Sequence, residues 1–237
     1  MKKEMVGDVP GNVLGMLADL AHKLQHGVIT PGELAMFLKG ENPFLSQSEI
    51  VADWGVFYLD KFGFNPDFLH LKIPEKRHGF DRLIVVAEGL TIQRVFGECA
   101  REFNCCNYVK NWIGKNLDEV VLTDDRDTKN GSYAIWVRDR IEADEELKNK
   151  SANDLKRAGI PGITLMERLL LEFKYFKETG KHLDNKNTTL CVGSLILGEG
   201  DNYVPKVRWG SSISELVVDW TIAENRFYKL RSRQVVS

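Results

Sequence analysis

The chain has 237 residues, 43% of them apolar and 28% charged, which suffices for one larger domain or one domain with a small appendage. Its formal net charge of −2, with acidic and basic residues interspersed, argues against nucleic acid as a partner, because a broad basic footprint is missing. No run is long and apolar enough to cross a bilayer, so no membrane partner is expected.

Residues 1–61 read as an N-terminal helical segment. Lys2, Lys3, Glu4 and Asp8 precede a modest amphipathic run, unlike the unbroken apolar core of a secretory signal, and a cytoplasmic location is expected. Val13, Leu14, Leu17, Leu20, Ala21 and Leu24 recur on one helical face. Thr30-Pro31-Gly32-Glu33 starts a second helix: Thr30 caps it, Pro31 suits the first helical position, and Glu33 reaches back to the cap. Leu34, Phe37 and Leu38 form its expected buried side. A third stretch, from Ser46 or Ser48, places Ile50, Val51, Trp54, Phe57 and Tyr58 on one face. These helices suit a small helical unit, a packing arm or an oligomerisation element. A helix-turn-helix reading lacks a basic recognition face.

Residues 62–80, with Gly63, Asn65, Pro66, Pro74 and Gly79, read as a connection. The run 82–87, rich in β-branched residues, predicts a buried strand. Thr91 then caps a helix carrying Val95, Phe96, Cys99 and Phe103 on one side. Residues 108–122 fit no single element. The polar run 124–131 is a turn, and 131–140 alternates as a strand, with Tyr133, Ile135 and Val137 on one side and Ala134, Trp136 and Arg138 on the other. Thr164-Leu165-Met166-Glu167 is a capping box that opens the clearest helix of the chain. Leu165, Leu169, Leu170, Phe173 and Phe176 form its stripe, and Gly180 stops it. After it the chain reads as short strands and turns.

The constellations that carry chemistry elsewhere are weak here. Asp124, Asp125 and Asp127 miss the calcium-loop pattern, since Lys129 follows where a ligand is needed and no glutamate closes the loop. Cys99, Cys105, Cys106 and Cys191 have neither disulfide-framework nor zinc spacing, which points to a reduced setting and to no metal or cofactor. His182, Asp184 and Cys191 form a Cys/His/Asp set only in sequence, and His182 is better read as a partner of helix-terminal carbonyls. Arg138 and Arg140 sit in a mixed-charge patch and suit pinning of that loop to the C-terminal lobe.

Residues 190–237 mix scaffold-like positions with runs of no evident pattern. Thr164–Asp184 leads into Thr189-Leu190-Cys191-Val192-Gly193-Ser194, followed by Val204-Pro205-x-Val207-x-Trp209, Leu216-x-Val218-x-Trp220 and Leu230-Arg231-x-Arg233-x-Val235-x-Ser237. This series resembles the C-terminal part of variable proteins of diversity-generating retroelements, over roughly residues 75–237. The resemblance implies an α+β, C-type-lectin-like fold, related in shape to the formylglycine-generating enzyme. Twisted antiparallel strands and two supporting helices would form a domain over 75–237, with a variable region at about 190–237. It implies a non-catalytic ligand-binding protein whose solvent-facing side chains are diversified by error-prone reverse transcription. No activity of the related enzyme is carried over, because Cys191 stands alone in that lobe.

Strand alternation adds an expectation from the residues themselves. With Val207 and Trp209 inside, Lys206 and Arg208 face out; with Leu216, Val218 and Trp220 inside, Val217 and Asp219 face out; with Leu230 inside, Lys229 and Arg231 point away. Arg231 and Arg233 match scaffold positions of the resemblance, so Ser232 is the display candidate there. The remaining candidate ligand-binding residues are Ser211, Ser212 and Ser214, then Thr221, Ile222, Ala223, Asn225, Arg226, Phe227 and Tyr228, with Tyr203 as an aromatic anchor. Leu195 and Ile196 belong to an apolar run, Leu195-Ile196-Leu197, that is either displayed or packed inside. The expected partner is a protein or other macromolecule. The rival readings are a thiol-dependent enzyme using Cys191 and an adaptor acting through the N-terminal helices.

Overall fold

The computed structural model describes residues 11–38, 46–108, 116–129, 131–196 and 202–237. Lys2, Lys3, Glu4, Asp8 and Leu197, and part of the ambiguous 108–122 segment, lie outside them. The chain divides into two compact units, residues 1–50 and 51–237. The division falls inside a helix, earlier than the expected start at 75.

The first unit holds α1 (Gly11–Gln25) and α2 (Pro31–Leu38). The predicted start of α2 is present: Glu33 N donates to Thr30 Oγ1 at 3.1 Å, and Thr30 N donates to the Glu33 carboxylate at 2.7 Å. The buried side expected of α2 is not formed, with Leu34 only half-buried. No residue of α1 is buried, and Leu14, Leu17, Phe37 and Leu38 are exposed. Periodicity sets which side chains share a face; it does not supply a surface to cover them.

The second unit is mixed α+β. Helix α3 (Gln47–Phe62) enters it from Val51 on, and its predicted apolar face is buried at Trp54, Phe57 and Tyr58. The polar tips of these aromatics are satisfied, with Trp54 Nε1 donating to Leu83 O at 3.2 Å and Tyr58 Oη to Val85 O at 2.7 Å. Both acceptors lie on β1 (Arg82–Val86), which pairs antiparallel with β4 (Tyr133–Val137) in a two-stranded sheet. Between them come α4 (Ile92–Glu102), capped by Thr91 as expected, β2 (Cys105–Asn107), the short α5 (Leu117–Val120) and β3 (Val121–Asp124).

After a 3₁₀ turn at Glu145–Leu147 and α6 (Ala152–Arg157), helix α7 (Leu165–Thr179) runs through the interior. Its capping box closes through Thr164 and Glu167, and Gly180 takes the left-handed conformation at φ 67° that ends it. Every residue from Leu165 to Lys174 is buried, because α4, β1 and β7 pack around it. Phe173 stands 5.2 Å from Phe57, edge to face. A buried phenylalanine of this kind contributes about 1.5–3 kcal/mol.

The larger sheet uses β5 (Thr188–Leu190), β6 (Ser194–Ile196), β7 (Tyr203–Gly210), β8 (Glu215–Ile222) and β9 (Leu230–Ser232). Its order is β2-β8-β7-β5-β9, with β6 joining β7 to β3. The expectation of antiparallel strands needs correction. β7 and β8 form a long antiparallel pair, but β2–β8 and β5–β9 are parallel. Those partners are brought together by the chain's return rather than by a hairpin, so local turn signals carry no trace of them.

Candidate ligand-binding face

The C-terminal strands hang on a buried charge network. Asp184 is fully buried with φ 53°, a left-handed conformation that aspartate tolerates better than most residues. Its Oδ2 accepts from Arg168 Nε at 3.0 Å, from Arg168 Nη2 at 2.8 Å, and from the Thr189 hydroxyl. Its Oδ1 accepts from Arg233 Nη2 and from Ala143 N, each at 2.8 Å. Arg168 Nη1 also donates to Glu172 at 2.8 Å, and Arg233 donates to the carbonyls of Arg140 (2.8 Å) and Ile141 (2.9 Å). Two guanidinium groups and two carboxylates, all withdrawn from water, thus neutralise one another. Burial alone would raise the Asp184 carboxyl, but Arg233 and Arg168 hold it below its ordinary range.

This network joins α7, the 140–143 segment, β5 and the residue after β9. The last residues add stitches of their own: Ile163 N donates to Arg233 O (3.0 Å), and Trp136 and Val236 exchange backbone bonds at 2.9 and 3.0 Å. The guanidinium groups that pin the segment before α6 to the C-terminal lobe therefore include Arg233, beside the expected Arg138. Arg138 binds Asp144 at 2.6 Å and Gln234 at 3.2 Å. Arg140 binds Glu146, and only its carbonyl faces Arg233.

On this frame β7 and β8 pair from Tyr203↔Ile222 to Gly210↔Glu215. One face carries Pro205, Val207 and Trp209 opposite Trp220, Val218 and Leu216. The other carries Lys206 and Arg208 opposite Asp219 and Val217. Arg208 is exposed; Lys206 and Asp219 are half-buried and form an ion pair at 3.0 Å. Simple alternation fails at Val217, which is 2% exposed, and at Val204 and Thr221. These strands lie inside the sheet and are covered on both faces along part of their length, so an inward set and an outward set cannot be separated by parity alone.

Four candidate residues belong to the frame rather than to a displayed surface. Ile196 is buried and paired with Val121 and Tyr203. Thr221 is buried, its hydroxyl accepting from Asn225 Nδ2 at 2.8 Å. Ala223 packs in a core cluster with Leu190, Val192 and Val204, against which Leu195 also rests. Ser232 is fully buried and donates to Leu190 O at 2.8 Å. Its position on β9, parallel to β5, turns it inward. Leu195, Tyr203, Ile222 and Asn225 are half-buried.

The candidates that do face solvent are Arg208, Ser211, Ser212 and Ser214 on β7 and the following turn, and Arg226, Phe227 and Tyr228 after β8. Arg226 is tied to Asp154 at 2.6 Å. Lys206, Arg208, Asp219 and Phe227 converge on one notch of about 180 Å³, together with Thr188, Val217, Lys229 and Leu230. Lys229 was legible as outward-pointing from its place beside Leu230, but nothing local assigns it to this notch. Thr188 and Leu230 join it only through the β5–β9 pairing.

The Cys/His/Asp set does not act together. Asp184 is committed to its arginines, and His182 Nδ1 lies 2.9 Å from Glu172. The His182 ring stacks on Trp209 with centroids 3.4 Å apart, so its partners are side chains and not the helix-terminal carbonyls. Cys191 is fully buried, and burial drives its thiol well above the ordinary range, which suppresses the thiolate. Asp124 is different: burial pushes its carboxyl up to about 6, against a hydrogen bond from Ser194. It lines a cleft of about 450 Å³ with Thr91, Arg126 and Tyr133. Among the described residues, no group of three or more His, Cys, Asp or Glu side chains is placed to hold a metal ion. Comparison of the chain with protein-family models, curated proteins and solved structures finds no match.

Proposed function

We propose that this chain is a non-catalytic ligand-binding protein whose C-terminal surface is diversified, a variable protein of a diversity-generating retroelement with a C-type-lectin-like fold. The observation that carries the reading is the contrast within residues 203–233. Arg208, Ser211, Ser212, Ser214, Arg226, Phe227 and Tyr228 face solvent, while the β7–β8 pair beside them is joined to the anchored core through the β5–β7 pairing and the bond from Trp209 N to Asp184 O. Apart from Arg226, which is tied to Asp154, these side chains make no ion pair within the described residues, and an exposed side chain of that kind can be exchanged with an effect within about 0.5 kcal/mol. An anchored backbone keeps the same surface geometry through such exchanges. The displayed set is narrower than parity suggests, with Ile196, Thr221, Ala223 and Ser232 assigned to the frame.

The partner is a protein or other macromolecule, since the displayed residues spread over a strand, a turn and a loop rather than converging on one enclosed cavity. The buried, protonated Cys191 gives no support to a thiol enzyme. Sequencing the DNA beside the gene tests the proposal. The expected finding is a reverse transcriptase and a near-repeat of the last codons, with adenine-linked mismatches at the codons of the solvent-facing residues. A gene with no near-repeat, or mismatches concentrated at the Ile196, Thr221, Ala223 and Ser232 codons, overturns it.

A further inference from the structure

We infer that the notch between β7 and the 227–230 segment receives a carboxylate side chain of an acidic protein partner; this rests on the display reading and names the partner's chemistry. Three cations reach the notch, Lys206, Arg208 and Lys229, against one carboxylate, Asp219. Lys206 is spent on Asp219 at 3.0 Å. Arg208 stands opposite Val217 across the β7–β8 pair, with Asp219 and Glu215 on the diagonals, and its guanidinium lies beside Gly210 without closing an ion pair with either. Among the described residues no carboxylate forms an ion pair with Arg208 or Lys229. Val217 and Leu230, both buried, supply an apolar floor, and a charge pair formed over such a floor is screened less than one formed in open water.

The size and surroundings select the class of anion. A volume of about 180 Å³ suits one acidic side chain rather than a run of phosphates. Phe227, 55% exposed, lines the notch and offers flat apolar area to the residues flanking that carboxylate, while the Tyr228 ring lies under Lys229 Nζ, 5.6 Å from its centroid. The notch backbone is fixed, since Thr188 N donates to Lys229 O at 2.9 Å and Leu230 lies in a strand. Arg208 supplies a planar fork that matches a carboxylate, and Lys229 adds a point charge.

The test uses the full chain and a fluorescein-labelled hexaglutamate peptide, read by fluorescence anisotropy beside thermal unfolding of each variant. Binding is expected at low salt and weakens as salt rises. Arg208→Glu and Lys229→Glu each reduce affinity on the order of tenfold, while the exposed Lys181→Glu leaves it unchanged. A wild-type chain that does not bind, with both notch variants melting at the wild-type temperature, sinks the acidic-partner inference and leaves the display reading standing. A short oligothymidylate that binds as tightly as the peptide, with the same loss in both variants, overturns the inference in favour of a general polyanion site. If Arg208→Glu melts well below wild type, a displayed position is not tolerant of substitution, and the display reading falls together with the inference; if Lys229→Glu alone does so, Lys229 serves the frame and only the inference falls.

Discussion

Replacing Asp184 by Asn keeps the shape of the side chain and removes the charge that both buried arginines face. In the wild type, Asp184 accepts from Arg168, Arg233, Thr189 and the Ala143 amide. The variant's amide group has one oxygen to accept and an NH₂ that must point at one of the guanidinium groups, donor against donor. Glu172 then remains as the carboxylate partner for Arg168, and Arg233 keeps only the carbonyls of Arg140 and Ile141 and the Thr189 hydroxyl, with no carboxylate. Removing one member of a buried ionic cluster costs about 3–5 kcal/mol. For a protein of this size each kcal/mol lowers the melting temperature by roughly 2–4 °C, so the expected drop is about 6–20 °C. Urea unfolding followed by tryptophan fluorescence measures the free energy directly. The pH dependence adds a second check. The folded carboxyl is held below its unfolded value, so its stabilisation is full above the unfolded pKa and disappears as pH falls through the folded one. The gap between wild type and variant must therefore close on acidification. A loss under about 1 kcal/mol, or a gap that widens in acid, refutes the assignment of Asp184 as the anchor of the frame.

Three further outcomes follow from the same geometry. Gly193→Ala places a methyl group 2.8 Å from Gly162 O and 2.9 Å from Thr164 Cγ2 at the start of α7, and is expected to cost about 1–3 kcal/mol in urea unfolding; a neutral change would contradict that close approach. Asp124 is held up at about 6, so in the folded state it keeps its proton to higher pH than in the unfolded state, and its contribution to stability falls as pH rises from about 4 to 6. Asp124→Asn should remove up to about 3 kcal/mol of that slope, and an unchanged slope in pH-dependent unfolding would count against it. Cys191 should resist a thiol reagent in the native protein and react on unfolding, while half-buried Cys106 reacts first; prompt native labelling of Cys191, located by mass spectrometry, would show that its burial is wrong.

Local chemistry was readable from sequence where donor and acceptor lie within one turn. The capping boxes of Thr30 with Glu33 and Thr164 with Glu167, the Thr91 cap and the Gly180 stop depend on neighbours three or four residues apart, and each is present. The strands at 82–87 and 131–140 and the apolar face of α3 were likewise legible, because side-chain period follows from backbone geometry alone. Tertiary structure decided what covers a face. It left the apolar faces of α1 and α2 exposed, buried Val217 and Ser232 against their expected direction, and set Cys105 beside Leu216 in a parallel pair. It also brought Asp184 to Arg168 and Arg233, and Thr188 and Lys229 to the notch with Arg208. Burial and charge pairing are properties of whatever arrives from far along the chain, and residue spacing records only what stays close.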